Sequence, residues 1–261
     1  MPTFVGMQKN ILNQLLKKKS LGIRSLAVLI DPDHQKIRNI DEIISEANAH
    51  AVDYFFLGGS LVLQDRMDEV LKLIREQSNI PSIIFPGSGF QINIQADALL
   101  FLSLVSGRNP EFLIGKQVEV APKLYSSKIE VISTAYLLID GGSSNTASYI
   151  SQTLPIPYDK IEIAVATALA SQFLGFQLLF MDAGSGARRN VSAELINKVS
   201  EVCDQPLIVG GGIKNGEQAY NMLKAGADVL VIGNAIEENP LLIREISAAV
   251  KQINALDLRR V

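Results

Sequence analysis

The sequence predicts a single α/β domain, a (β/α)8 barrel closed on itself, and three observations carry that prediction. Short hydrophobic runs alternate with segments of helical period along the chain. Eight such runs can be counted, and polar residues, proline or glycine collect at their C-terminal ends. The length, 261 residues, suits one barrel of ordinary size. The pattern is plainest over residues 178–233. There Leu178-Leu179-Phe180-Met181-Asp182, Pro206-Leu207-Ile208-Val209 and Val229-Leu230-Val231-Ile232 each run into glycine. Runs this short and this apolar read as strands buried on both faces.

Taken in order, residues 4–19 read as a leading amphipathic helix with Phe4, Ile11, Leu12, Leu15 and Leu16 on one side. Lys17, Lys18 and Lys19 close it, where cations suit the helix dipole. Two roles stay open: a cap packed on the barrel, or a basic helix touching a membrane. Leu26-Ala27-Val28-Leu29-Ile30 is the first strand, stopped by Pro32, which cannot donate to a ladder. Asp41 caps a helix running to about residue 50. Tyr54-Phe55-Phe56-Leu57 is the second strand, turned by Gly58-Gly59-Ser60, and residues 61–77 carry a helical period. Ile83-Ile84-Phe85 is the third, stopped by Pro86-Gly87, and residues 99–104 are the fourth. The connection between them, residues 90–97, is too short for a full helix. Residues 110–120 form the next helix, and residues 129–140 a long fifth strand. Residues 143–157, rich in Ser, Thr and Pro, read as a long loop near the site. Helices follow over residues 159–174, 192–202 and 215–225, between the last strands. Only closure removes both edges of such a parallel sheet. The alternative is an open doubly wound sheet.

Composition narrows the function. Hydrophobic residues make up 48% and charged residues 20%, as in a globular protein with a sizeable core. A net charge of −3 without a large basic patch argues against nucleic acid as a partner. The only cysteine, Cys203, excludes an intrachain disulfide framework and suits a reducing cytosol, so a cytoplasmic location is expected. No apolar run reaches transmembrane length, and the N-terminus lacks the pattern of a signal peptide.

In a barrel of this kind the chemistry sits at the C-terminal strand ends. Read in order, these are Asp31, Gly58 to Ser60, Pro86, Ser103, Asp140, Asp182, Gly210 to Gly212, and Gly233. Glycine turns at three successive strands let backbone N–H groups approach an anion closely, beside helix starts, and read as a phosphate cradle. Turn chemistry alone would account for one such cluster rather than three. Asp31 and Ser60, on neighbouring strand ends, offer hard oxygen ligands that suit Mg2+ completed by water and substrate phosphates. Asp31 on its own could equally be a turn aspartate. With His34 and His50 the only imidazoles, a transition-metal site is not expected, and His34 reads as a loop residue. No nucleophile elbow is present. Two phosphorylated ligands are the reading that uses all these positions.

The motifs Ile30-Asp31-Pro32-Asp33, Leu57-Gly58-Gly59-Ser60, Phe85-Pro86-Gly87, residues 101–115, Ala135-Tyr136-Leu137, Asp182-Ala183-Gly184-Ser185-Gly186, Val209-Gly210-Gly211-Gly212-Ile213 and Gly233-Asn234 follow one another over residues 25–240. As a set they resemble the signatures of the geranylgeranylglyceryl phosphate synthases and their relatives. The resemblance implies a (β/α)8 barrel that transfers a prenyl chain from its diphosphate to sn-glycerol 1-phosphate with Mg2+, assembled as a dimer or hexamer. It implies Asp31 and Ser60 as magnesium positions. It implies Phe180, Met181, Asp182, Ala183, Gly184, Ser185, Gly186, Gly210, Gly211, Gly212, Gly233 and Asn234, with Tyr136, as the substrate-binding set. That family usually carries Tyr and Glu where this chain has Phe180 and Asp182. Loss of the tyrosine hydroxyl removes one possible hydrogen bond to the glycerol phosphate. Asp182 keeps the carboxylate, one methylene shorter, and is the candidate catalytic base by position. A bacterial branch making heptaprenylglyceryl phosphate is a near relative, but residues 85–87 and 182–186 look more like the geranylgeranyl branch. The prenyl chain needs an apolar groove, for which the short connection at residues 90–97 leaves room, and a lipid substrate suits peripheral membrane contact. Two alternatives remain: another phosphate-binding barrel enzyme whose substrates lack an apolar tail, and a non-catalytic polyprenyl phosphate-binding module.

Overall fold

In the computed structural model, which describes residues 10–33 and 39–257, eight parallel strands pair in sequence order and the last closes on the first. They are β1 Ser25–Ile30, β2 Tyr54–Leu57, β3 Ser82–Ile84, β4 Ala98–Leu104, β5 Glu130–Leu138, β6 Leu178–Asp182, β7 Leu207–Gly210 and β8 Val229–Ile232. The open-sheet alternative is thereby excluded.

Two-residue periodicity sorts every strand into an inner and an outer face. Ala27, Tyr54, Phe56, Ile132, Phe180 and Ile208 belong to the cluster that fills the barrel. Val28, Phe55, Leu57, Leu179, Met181 and Val209 belong to the layer between barrel and helices. Each fully buried Leu, Ile or Phe of these layers contributes about 1.5–3 kcal/mol. The same parity decides what faces the mouth. Following Ala27 and Leu29 it turns Asp31 inward, and following Leu178 and Phe180 it turns Asp182 inward. Gly210 and Gly233 continue the inward rows of β7 and β8.

The helices are α1 Ile11–Ser20, α2 Ile40–Ala49, α3 Met67–Gln77, α4 Lys116–Tyr125, α5 Thr146–Ser151, α6 Ile161–Phe173, α7 Ala193–Ser200, α8 Gly216–Ala225, α9 Asn234–Glu238 and α10 Leu242–Asp257. The described part of the leading helix closes the floor of the barrel. Ile11 and Leu15 are buried in the inner cluster, and the Glu130 carboxylate accepts from the Ile11 and Leu12 N–H groups at 2.7 and 3.0 Å. Lys18 pairs with Asp53 and Lys19 with Asp228. Phe4 and His34 lie outside the described residues.

Several expectations need correction. Asp41 is not the cap of α2: Asn39 holds that position, and Asp41 lies in the first turn, where it suits the dipole. Helix α3 begins at Met67, because Asp65 accepts from the Met67 N–H at 2.9 Å and ends the irregular stretch before it. The loop expected over residues 143–157 contains α5, capped by the Asn145 side chain accepting from Ser148 N–H at 2.8 Å. Helices α9 and α10 lie beyond the segments read from periodicity. Between β3 and β4 only a 3-10 turn, Gly89–Gln91, stands where a helix would be, as the short connection predicts. A π turn, Glu111–Gly115, leads into α4. No helix among the described residues is long and apolar enough to cross a membrane.

Candidate active site

A cavity of about 700 Å3 opens at the C-terminal ends of the strands. Because the strands follow one another in sequence around the barrel, its wall can be read by strand number.

At β6 to β8 it is glycine. Gly184, Ser185, Gly186, Gly210, Gly211, Gly212, Gly233 and Asn234 all line it. Gly211 has φ +87°, and a Cβ there would stand 2.6 Å from Asp182 Oδ1 and 2.8 Å from the Gly184 nitrogen. Only a residue without Cβ lets the β6 and β7 turns meet this closely. Gly210 serves a different end, since a Cβ there would stand 3.1 Å from the Phe180 ring, and its absence leaves that ring room. The Ser185 hydroxyl donates to Asn234 Oδ1 at 2.8 Å and joins the first glycine turn to the last.

Asp182 sits at the floor, held by two donors: the Tyr136 hydroxyl at 2.5 Å on Oδ2 and the Gly184 N–H at 2.8 Å on Oδ1. Desolvation pushes its carboxyl above the usual carboxylate range, while these two hydrogen bonds pull the other way. Burial, and then the charge on Asp182, hold the Tyr136 hydroxyl well above its ordinary value, so it stays protonated and donates. Phe180 is 1% exposed, stacked on Phe85 with centroids 5.0 Å apart and edge-on to Tyr136 at 5.5 Å.

At β1 and β2 the wall is polar. Asp31, 8% exposed, accepts from the Asp33 N–H at 3.2 Å, and Ser60 lines the cavity beside it. A Cβ on Gly59 would come within 2.6 Å of Asp31 Oδ2, so the β2 turn lies directly against that carboxylate.

At β3 and β4 the wall is apolar. Ile92, Leu99, Phe101, Phe112 and Val120 line an arm that runs between β4 and α4, beside the connection that lacks its helix. Thr146, Ala147 and Ile150 of α5 also line the cavity, a contribution hidden in the sequence by the polar composition of that stretch.

Two residues of the expected substrate-binding set do not line the cavity. Met181 and Ala183 fall on the outer face of β6, 0% and 1% exposed, packed in the helix-facing layer, because they alternate with Phe180 and Asp182. Two residues read as rim positions are structural. Asp140 pairs with Arg189 at 2.7 Å, and buried Ser103 donates to the Leu113 carbonyl at 2.7 Å. Lys214, two residues after the glycine triplet, also lines the mouth, and no motif of the sequence pointed to it.

Comparison with known proteins places this geometry. The sequence profile of the PcrB family matches residues 15–252. A geranylgeranylglyceryl phosphate synthase of Chitinophaga pinensis is 50% identical over 244 residues, covering 94% of this chain and 97% of the relative. One from Pyrococcus horikoshii is 38% identical over 253 residues, covering 97% and 96%. Among solved structures, (S)-3-O-geranylgeranylglyceryl phosphate synthase from Thermoplasma acidophilum, in complex with its substrate sn-glycerol-1-phosphate, superposes with a TM-score of 0.85. It is 34% identical, and the match covers 93% of this chain and 98% of that one. The matched span takes in the glycine turns, the Asp31 end and the apolar arm alike, and the chain belongs to the PcrB family.

Proposed function

We propose that this protein transfers the geranylgeranyl group from geranylgeranyl diphosphate to sn-glycerol 1-phosphate, releasing diphosphate and forming an ether-lipid precursor. One observation carries the reading: a single cavity joins glycine turns, a buried carboxylate and an apolar arm, in that order around the mouth. Relatives at 38–50% identity bearing the synthase name support it.

In this reading the β7 and β8 turns bind the glycerol phosphate through backbone N–H groups, and the apolar arm takes the prenyl chain. A glycerol hydroxyl attacks C1 of the diphosphate; the new C–O bond forms as the bond from C1 to the diphosphate oxygen breaks. Asp182 accepts the hydroxyl proton, its carboxyl made more basic by burial and aimed by Tyr136. Phe85, Tyr136 and Phe180 line the floor with aromatic surface, which keeps water from the reacting carbon. The fixed positions of both substrates supply the remainder, as catalysis by orientation.

Mg2+ belongs to the proposal, with Asp31 and Ser60 as its protein ligands. Among the described residues no three His, Cys, Asp or Glu side chains come together as a metal cage. A site with one carboxylate, one hydroxyl and otherwise water and diphosphate oxygens is the kind Mg2+ accepts. When bound, the ion neutralises charge developing on the leaving diphosphate.

The test is incubation of the purified protein with sn-glycerol 1-phosphate and prenyl diphosphates of several lengths, with products read by mass spectrometry. Geranylgeranylglyceryl phosphate should appear; a protein that turns over none of these diphosphates is not a prenyltransferase of this kind. At the glycine end, Gly211→Val should raise the KM for glycerol phosphate at least about tenfold, since the branched side chain strikes Asp182 and the Gly184 amide and resists positive φ. An unchanged KM in steady-state kinetics would move the phosphate elsewhere.

A further inference from the structure

Gln91 ends the 3-10 turn that stands where the barrel lacks a helix, and no motif of the sequence singles it out. Its side chain is buried, 5% exposed, yet it makes three hydrogen bonds, all to the backbone of the glycine turns after β2 and β3. Nε2 donates to the Gly59 carbonyl at 2.7 Å. Oε1 accepts from the Gly59 N–H at 3.2 Å and from the Gly87 N–H at 3.0 Å. Both polar groups of Gly59 therefore end on one side chain, thirty-two positions away in sequence.

The turn held in this way is the one pressed against Asp31. A Cβ on Gly59 would lie 2.6 Å from the Asp31 carboxylate, and a Cβ on Gly87 would lie 2.2 Å from the Gly59 carbonyl oxygen. Asp31, Gly59 and Gly87 thus stack with no side chain between them. Glycine backbone has no side-chain packing of its own to fix a peptide plane, so hydrogen bonds to the amide must do it. Ser60 follows Gly59 directly, and its placement relative to Asp31 is set by that same peptide.

We infer that Gln91 is a positioning residue for the diphosphate end of the site: by fixing both polar groups of Gly59 it sets Ser60 against Asp31. The inference rests on the assignment of this end to diphosphate and Mg2+ made above. Groups that orient ligand-bearing elements through hydrogen bonds commonly matter for affinity without touching the ligand. The consequence is local, because the glycerol phosphate turns lie on β6 to β8.

The experiment is titration calorimetry with inorganic diphosphate in the presence of Mg2+ and, separately, with sn-glycerol 1-phosphate. It compares the wild-type protein, Gln91→Met and Asn93→Ala. Gln91→Met keeps length and approximate volume and removes all three bonds. Asn93→Ala breaks the 2.6 Å bond from Asn93 to Asp68 in the same connection and leaves the glycine turns alone. Diphosphate affinity should fall about 10- to 100-fold in Gln91→Met. Its glycerol phosphate affinity should stay unchanged, and Asn93→Ala should bind both ligands as the wild type does. If Gln91→Met loses its cooperative melt, Gln91→Asn, which stays uncharged and keeps an amide one methylene too short to span both turns, carries the same expectation. Unchanged diphosphate binding in the Gln91 variants, equal loss of both ligands, or the same loss in Asn93→Ala would overturn the inference. A wild-type protein that binds neither ligand would overturn the functional reading beneath it as well.

Discussion

Asp31→Asn should leave the protein folded and lower turnover about 1000-fold, the scale on which removing a stabiliser of developing charge acts. Asparagine matches aspartate in size and keeps an oxygen for the Asp33 N–H, so the fold should survive with a cooperative melt. What disappears is the negative charge. A carboxylate beside a bound diphosphate is unfavourable unless a cation lies between them, so its presence at the mouth of the cavity fits the proposed Mg2+. Leaving-group stabilisation is lost rather than simple binding, and the effect should fall on kcat. The KM for glycerol phosphate should change little, since its turns lie on β6 to β8. Initial rates with and without excess EDTA check this, alongside a thermal melt. Near wild-type turnover in Asp31→Asn, or full wild-type activity in EDTA, would remove the metal from the account.

Asp182→Asn should lower kcat about 100- to 10,000-fold, the range of a lost general base. Its stability should move the other way. Burial raises the folded-state pKa of Asp182 above its unfolded value, so the folded protein holds this proton to higher pH than the unfolded chain does. Stability contributed at this position is therefore greatest below the unfolded pKa and declines as pH rises through the folded one. Above its folded pKa the ionised carboxylate costs stability that asparagine does not, and there the variant should melt no lower than the wild type. In acid the difference between the two should close. The same shift places the acidic limb of the wild-type kcat/KM profile above the usual carboxylate range. Tyr136→Phe, which removes a hydrogen bond that lowers the Asp182 pKa, should carry that limb further up. A limb that ignores Tyr136 would assign the base elsewhere.

Much of this was legible because strands alternate. The apolar runs located all eight strands, and the polar residues, prolines and glycines at their ends pointed to the rim. The parity that turns Asp31 and Asp182 inward was also present in the sequence. Applied strictly, it turns the Met181 and Ala183 side chains to the helix-facing layer, whereas the family resemblance put both in the substrate-binding set. The apolar arm was foreshadowed by a connection too short for a helix. Polar composition masked α5, whose period is brief and whose cavity-facing side is small: Thr146, Ala147 and Ile150. Gln91 was out of reach, because its partners are backbone groups of turns that meet only once the barrel closes. The Phe180 exchange also reads differently in three dimensions. The ring is packed among Phe56, Phe85 and Tyr136, so this position contributes aromatic surface at the floor of the cavity.

The central claim is that one cavity holds two phosphorylated substrates at separate ends, with Asp182 near the point where they meet. A crystal structure with Mg2+, sn-glycerol 1-phosphate and an unreactive thio analogue of geranylgeranyl diphosphate measures this directly. The account predicts the glycerol phosphate at Gly210 to Gly212 and Gly233, the diphosphate and metal at Asp31 and Ser60, and the prenyl chain along Phe101, Phe112 and Val120. A prenyl chain outside that arm, or both phosphate groups bound at the glycine turns with Asp31 empty-handed, would contradict it.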